Sequence, residues 1–231
     1  MIGIIAAMTI EAEGLEKVMT DVNKKEISGM TFVSGKLCGC DAVVSVCGEG
    51  KVNAAMCTQT MIMEYNVDEV VNTGVAGGLA DGLEIGNIVV AESVVQHDMD
   101  MSPLGYDIGY ICGVDGIYMN CDDKLKELLY KCVCDNKISC QKGVVASGDQ
   151  FISSGEKKAW LKEKFNAAAC EMEGGAIGQV CVRNNIPFAV LRAISDGGDD
   201  SANMSFPEFA ALAAENSIKV MKDFLTKKAH L

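Results

Sequence analysis

Short apolar runs alternate along this chain with longer stretches whose apolar residues recur at helical spacing. Residues 2–7, Ile-Gly-Ile-Ile-Ala-Ala, predict a strand buried on both faces. A helix follows over 10–19, with Ile10, Leu15 and Val18 available for one face. Residues 32–37 and 42–47 predict two strands joined by a turn at Gly39-Cys40-Asp41. A helix over 52–65 leads to a buried strand at 69–72, and residues 88–95 make another. Residues 97–116 form a long connection rich in Gly, Asp and Tyr. A helix over 122–134, capped by Asn120 or Asp122, precedes a strand at 139–147 and a helix at 156–165. Helix 174–184, strand 187–194 and a closing helix at 206–227 complete the pattern, with Pro207 in a first-turn position. Strands alternating with helices predict an α/β fold, a single domain over 1–231 with a central β-sheet flanked by helices. The strand pair at 32–47 makes that sheet mixed.

Composition narrows the class. The 231 residues are enough to bury a substantial core, and 49% hydrophobic with 23% charged residues is ordinary for a soluble globular protein. Twenty basic against 32 acidic side chains give a net charge of −12, so no basic field exists to recruit nucleic acid or an anionic membrane. Arg183 and Arg192 are the only arginines. A phosphate site usually recruits more guanidinium groups, although lysine or backbone amides can substitute. Eleven cysteines are an odd number in too long a chain for a disulfide-stapled mini-domain; Cys47, Cys57 and Cys181 fall in apolar runs and read as small core residues. Cys38/Cys40 and Cys132/Cys134 are C-x-C pairs with only His97 and His230 as imidazole partners, a poor zinc pattern, and no spacing suggests a metal or organic cofactor. No basic segment precedes the first apolar run, Glu11 and Glu13 follow it at once, and no apolar run approaches about twenty residues. A soluble, cytoplasmic protein is expected.

Two acidic motifs stand out: Glu171-Met172-Glu173, and Arg192-Ala193-Ile194-Ser195-Asp196 some twenty residues later. Each places carboxylates at the edge of an apolar run. In α/β proteins the crevice beyond the C-terminal strand ends is where sites are built. Partial burial there can tune one carboxyl to donate a proton while another stays ionised, which suits acid-assisted bond cleavage. Read alone, Asp196 equally suits a cap after a strand, Glu11 a solvated first-turn carboxylate, and Phe151 core packing. Two glycine clusters, Gly48-Glu49-Gly50-Lys51 and Thr73-Gly74-Val75-Ala76-Gly77-Gly78, read as tight strand-to-helix turns. Neither is a nucleotide loop: Ser45 and Val52 break the phosphate-loop pattern, and Ala76 takes the middle glycine's place in G-x-G-x-x-G.

Taken in order, Gly3-Ile4-Ile5-Ala6-Ala7-Met8, Glu11, the two glycine clusters, Ser147-Gly148-Asp149-Gln150-Phe151-Ile152 and the two acidic motifs resemble one family. They are similar to the bacterial 5′-methylthioadenosine/S-adenosylhomocysteine nucleosidases, within the purine and uridine phosphorylase superfamily. The resemblance runs the length of the chain, to the closing helix beginning Ser205-Phe206. Each motif alone is weak, but six in order are specific. The resemblance implies a nucleoside phosphorylase-like three-layer fold. It also implies hydrolysis of the N-glycosidic bond of 5′-methylthioadenosine, S-adenosylhomocysteine and 5′-deoxyadenosine. Adenine and the thioribose are released, in methionine salvage and the recycling of S-adenosylmethionine by-products.

By the same resemblance, Asp196 protonates adenine N7, with Ser195 holding its carboxyl, and Glu11 activates the water, with Arg192 nearby. Glu173 accepts the ribose hydroxyls and Met172 packs on the sugar. Phe151 stacks on the base while the Ile152 backbone reads its Watson–Crick edge. Met8, Glu49, Val75, Ala76, Gly77 and Phe206 complete the substrate contacts. Glu171 suits either a substrate contact or a solvent-facing salt bridge. Met101, Leu104 and Cys112 are expected to reach the site of a neighbouring subunit in a homodimer. Two positions depart from the family pattern. Val75 stands where serine is common, removing a hydroxyl from the water or ribose network. Glu49 stands where an apolar residue near the 5′ substituent is usual, which would favour a tail carrying an ammonium, such as homocysteine, or one that donates a hydrogen bond.

Two rivals remain at this stage. A phosphorolytic purine nucleoside phosphorylase would need cationic anchors near Gly3-Ile4-Ile5 and the glycine turn, where this chain offers apolar residues and Glu11. A non-catalytic nucleoside-binding protein would have no need to keep Glu11, Glu173 and Asp196 together.

Overall fold

The computed structural model describes residues 1–114, 116–196 and 202–231, with 202–208 described in backbone only. In chain order the elements are β1 (Ile2–Ala6), α1 (Thr9–Glu16), β2 (Thr20–Ile27), β3 (Met30–Leu37), β4 (Cys40–Val46), α2 (Lys51–Tyr65), β5 (Glu69–Gly78) and β6 (Ile88–Gln96). After a single 3₁₀ turn at Ser102–Leu104 come β7 (Met119–Asn120), α3 (Asp123–Asp135), β8 (Cys140–Ser147), α4 (Gly155–Phe165), β9 (Ala167–Glu171), α5 (Gly174–Asn184), β10 (Phe188–Asp196) and α6 (Ala202–Lys228). The strands form one mixed sheet in the order β10-β6-β8-β9-β5-β1-β4-β3-β2, with β7 on β6. Because β10 also pairs with β5, the five strands β5, β10, β6, β8 and β9 close on one another, and β1, β4, β3 and β2 extend outward from β5.

Neighbouring side chains of β1 explain the layering. Ile4 packs on one face of the sheet with α1, α3 and α6, and Ile5 on the other with α2 and α5. A third cluster seats Leu161 and Phe165 of α4 against Val95, Ala146 and Ala167. Strands covered on both faces read as continuous apolar runs, which is why β1, β6 and the first half of β10 were legible. Cys47, Cys57 and Cys181 are buried and unpaired, as their apolar surroundings imply. Among the described residues no helix is long and apolar enough to cross a membrane.

Several sequence expectations change. Helix α1 runs only from Thr9 to Glu16, and its inward residues are Glu11, Ala12 and Leu15. Ile10 and Val18 are exposed, at 41% and 45%: Ile10 lies off that inward face, and Val18 lies beyond the helix end. The β3–β4 turn is Cys38-Gly39, both at positive φ, one step earlier than expected. Strand β2 gave no signal, since a polar edge strand exposed at nearly every position shows no alternation. Strand β9 is mostly alanine, which carries little strand propensity. Asp122, not Asn120, caps α3, accepting from Lys124 N and Leu125 N at 3.0 Å each. Helix α6 begins at Ala202, which puts Pro207 in its second turn. The second glycine cluster is no turn: it is the C-terminal half of β5.

Candidate active site

Parallel β5 and β10 end together beyond the end of β1, and β9, antiparallel to β5 at Gly77–Cys170, brings Glu171-Met172-Glu173 to the same place as Asp196. A cavity of about 200 Å³ opens there, bounded by Ala7, Met8, Glu11, Val75, Ala76, Gly77, Ser195 and Asp196 on the strand-end side. Glu49, Gln150, Phe151, Ile152, Cys170, Glu171, Met172 and Glu173 close the rest.

Glu11 lies in the first turn of α1 and is 1% exposed. Its Oε2 accepts from Ala7 N (2.9 Å) and Met8 N (2.8 Å), and its Oε1 from Val75 N (2.9 Å). The carboxyl thus ties the end of β1 to β5. Burial pushes it above the usual carboxylate range, against the pull of Arg192 and of those three N–H donors.

The close fit explains the glycines. Gly74 stands opposite Arg192 in the β5–β10 register, and a Cβ on it would collide with Arg192 Nη1 and lie 2.7 Å from Glu11 Oε1. A Cβ on Gly77 would lie 3.2 Å from Asp196 Oδ1. In this strand, glycine serves close approach rather than turning. The first cluster does turn: Gly48 and Gly50 have φ of +83° and +98°, and Gly50 N donates to Glu173 Oε1 at 2.9 Å.

Behind the cavity Arg192, 1% exposed, holds the acidic wall together. Its Nη2 contacts Glu171 Oε2 and Asn72 Oδ1 and lies 3.4 Å from Glu173 Oε2, while Nη1 donates to Val75 O at 3.5 Å. Glu171 also accepts from Ser147 Oγ, and from Glu173 N (3.0 Å) and Gly174 N (2.8 Å) at the start of α5. The salt bridge expected of Glu171 exists, but it is buried rather than solvent-facing. Glu173 is pushed up to about 7, first by burial and then by Glu171, against the pull of Arg192 and of the Gly50 N–H.

Asp196 ends β10 and is 3% exposed. Ser195 Oγ lies 3.3 Å from its Oδ2 and 3.4 Å from Ala76 O, and Lys158 Nζ lies 3.6 Å from its Oδ1. Glu11 and Asp196 line one and the same cavity. At the mouth stand Phe151, 48% exposed, and Glu49, also exposed. Five carboxylates line the cavity, and among the described residues no lysine, arginine or histidine does.

A family model of the phosphorylase superfamily matches residues 1–226. The 5′-methylthioadenosine/S-adenosylhomocysteine nucleosidase of Haemophilus influenzae (strain PittEE) is 38% identical over 227 residues, 98% of this chain and 99% of that protein. The chain belongs to this nucleosidase family of the phosphorylase superfamily. Solved members of the superfamily share its fold along the full length. The 5′-methylthioadenosine/S-adenosylhomocysteine nucleosidase from Neisseria meningitidis, in complex with methylthio-immucillin-A, superposes with a TM-score of 0.95 at 34% identity, covering 98% of both chains. Futalosine hydrolase of Helicobacter pylori strain 26695 superposes at 0.93 and 35% identity, covering 98% of this chain and 97% of that one.

Of the residues expected at the site, Arg192 stands behind the lining rather than on it, and the Phe206 side chain lies outside the described residues. Half-buried Met101 and exposed Leu104 and Cys112 sit on the connection after β6, away from this chain's own cavity. Sequence reasoning assigned no role to Asn72, Ser147, Lys158 and Cys170. Asn72 had a signal, a polar residue closing a buried apolar run. Lys158 had another, a lysine in register with Leu161 and Phe165.

Proposed function

We propose that this protein hydrolyses the N-glycosidic bond of 5′-methylthioadenosine and S-adenosylhomocysteine, and of 5′-deoxyadenosine, releasing adenine. The observation that carries this reading is that Glu11 and Asp196, both buried, line one largely apolar cavity whose charged groups among the described residues are all carboxylates. Adenine leaves poorly until N7 is protonated, and Asp196, held by Ser195, supplies that proton. Glu11 orients water and takes its proton; its raised basicity suits that task. Glu173 accepts the ribose hydroxyls, and its charge together with that of Glu11 favours the cationic sugar of the transition state. Phe151 stacks on the base, the Ile152 backbone reads its edge, and Met8 and Met172 pack on the sugar side. Attack by phosphate is disfavoured, because a carboxylate at the nucleophile position repels an anion and activates water.

Exposed Leu104 and Cys112, with Met101 beside them, fit a homodimer in which one copy closes the 5′ end of the other's site. A cytoplasmic role in methionine salvage follows from the substrates. The solved Helicobacter pylori futalosine hydrolase makes futalosine a further nucleoside to assay.

The test is chromatographic detection of the free base, adenine from the adenine nucleosides, in phosphate-free buffer. Wild-type protein releases adenine without phosphate, and Asp196→Asn loses about 10²- to 10⁴-fold in rate while still binding nucleoside. A strict requirement for phosphate would make the protein a phosphorylase, and binding without release a nucleoside carrier. Sedimentation at micromolar concentration checks the dimer.

A further inference from the structure

The inward stripe of α4 is Lys158, Leu161 and Phe165. Helical spacing calls for an apolar residue at the first of these, and lysine is rarely buried without a partner. Lys158 is 6% exposed, and its Nζ makes no hydrogen bond among the described residues. It lies 3.6 Å from Asp196 Oδ1, beyond good hydrogen-bonding distance yet close enough for a strong charge interaction away from bulk water. A cation set there, against the pattern of its own helix, faces the end of β10.

We infer that Lys158 is a positioning residue for the proton donor: its ammonium holds the Asp196 carboxyl in place and stabilises the carboxylate left when the proton departs. This rests on Asp196 acting as the acid, as proposed above. In that step the Asp196 carboxyl proton passes to purine N7 while the C1′–N9 bond breaks and its electron pair moves to the purine. Water then adds to C1′ and gives its proton to Glu11. Solvent restores the two carboxyls between turnovers.

Among the described residues, the other groups facing Asp196 do not supply this charge. Ser195 of β10 offers a hydroxyl, and Gly77 of β5 has no side chain. Cys170 of β9 is a thiol pushed up to about 12 by burial and so stays neutral. Across the cavity Glu11, Glu171 and Glu173 are acidic, and Arg192 is engaged with them. Residues 197–201 lie outside the described residues.

A cation beside the carboxylate stabilises the negative charge that forms on Asp196 as its proton leaves, so it acts on the transition state rather than on substrate binding. The experiment is kcat and KM for adenine release by wild type, Lys158→Met and Lys158→Arg, with thermal unfolding of each. Lys158→Met should lower kcat roughly tenfold with KM unchanged, while Lys158→Arg keeps kcat near the wild-type value. Lys158→Gln, which keeps polarity without charge, should lower kcat in the same way if Lys158→Met folds poorly. An unchanged kcat in the uncharged variants, with normal wild-type release, overturns this inference alone. A wild type that releases no adenine overturns the nucleosidase reading and this inference with it.

Discussion

Replacing Glu173 by glutamine should change how stability depends on pH. Glu173 is 3% exposed, accepts from Gly50 N at 2.9 Å and reaches Arg192 only at 3.4 Å, because Glu171 holds the arginine more closely. Its carboxyl moves from an unfolded value of 4.5 to about 7 in the folded protein. Between those values the folded chain keeps a proton that the unfolded chain releases, so stability is greatest below about 4.5 and is lost as pH rises through 7. By pH 8 the loss amounts to about 3 kcal/mol, or about 6–12 °C in Tm for a chain of this size. Glutamine cannot ionise, so Glu173→Gln removes this slope. Tm of both proteins should be measured from pH 4.5 to 8.5 without ligand. The difference, variant minus wild type, should grow by that amount across the range; any pH-independent offset from altered contacts to Gly50 and Arg192 does not matter. A flat difference would refute the argument that burial and Glu171 load the proton onto Glu173.

Gly74→Ala would place a methyl against Arg192 Nη1 and Glu11 Oε1, both buried and pinned. About 1–3 kcal/mol of stability and about a hundredfold in kcat should be lost, measured by urea unfolding and adenine release; near-wild-type values would show that the β5–β10 gap is looser than described. Glu49→Ile should raise the ratio of 5′-methylthioadenosine to S-adenosylhomocysteine turnover by about tenfold, through lost attraction for the substrate's ammonium. An unchanged ratio in a competitive assay would remove Glu49 from specificity.

Much of the architecture was legible because most strands are buried on both faces or bounded by turns, and helices α2, α3 and α5 carry regular apolar spacing. What escaped notice did so for physical reasons. The charged edge strand β2 and the alanine strand β9 take their conformation from their neighbours rather than from their own side chains. The glycine cluster 73–78 suggested a turn, since glycine's local freedom is visible in sequence and the collision a Cβ would make with Arg192 is not. At the site, Glu11, Glu173 and Asp196 were located by ordered motifs. The buried contacts of Asn72, Ser147 and Lys158 depend on residues up to 120 positions away, as in the Asn72–Arg192 pair, and no local pattern encodes them.

The acidic lining described above bears on what else in a cell can occupy the cavity. Adenine ribosides are far outnumbered there by their 5′-phosphorylated forms, which present the same base and sugar. A phosphate seated among Glu11, Glu49 and Glu173 would meet only like charge among the charged residues of the lining, with Arg192 turned away behind the wall. This repulsion weighs against AMP and ATP as substrates without any residue dedicated to recognising them.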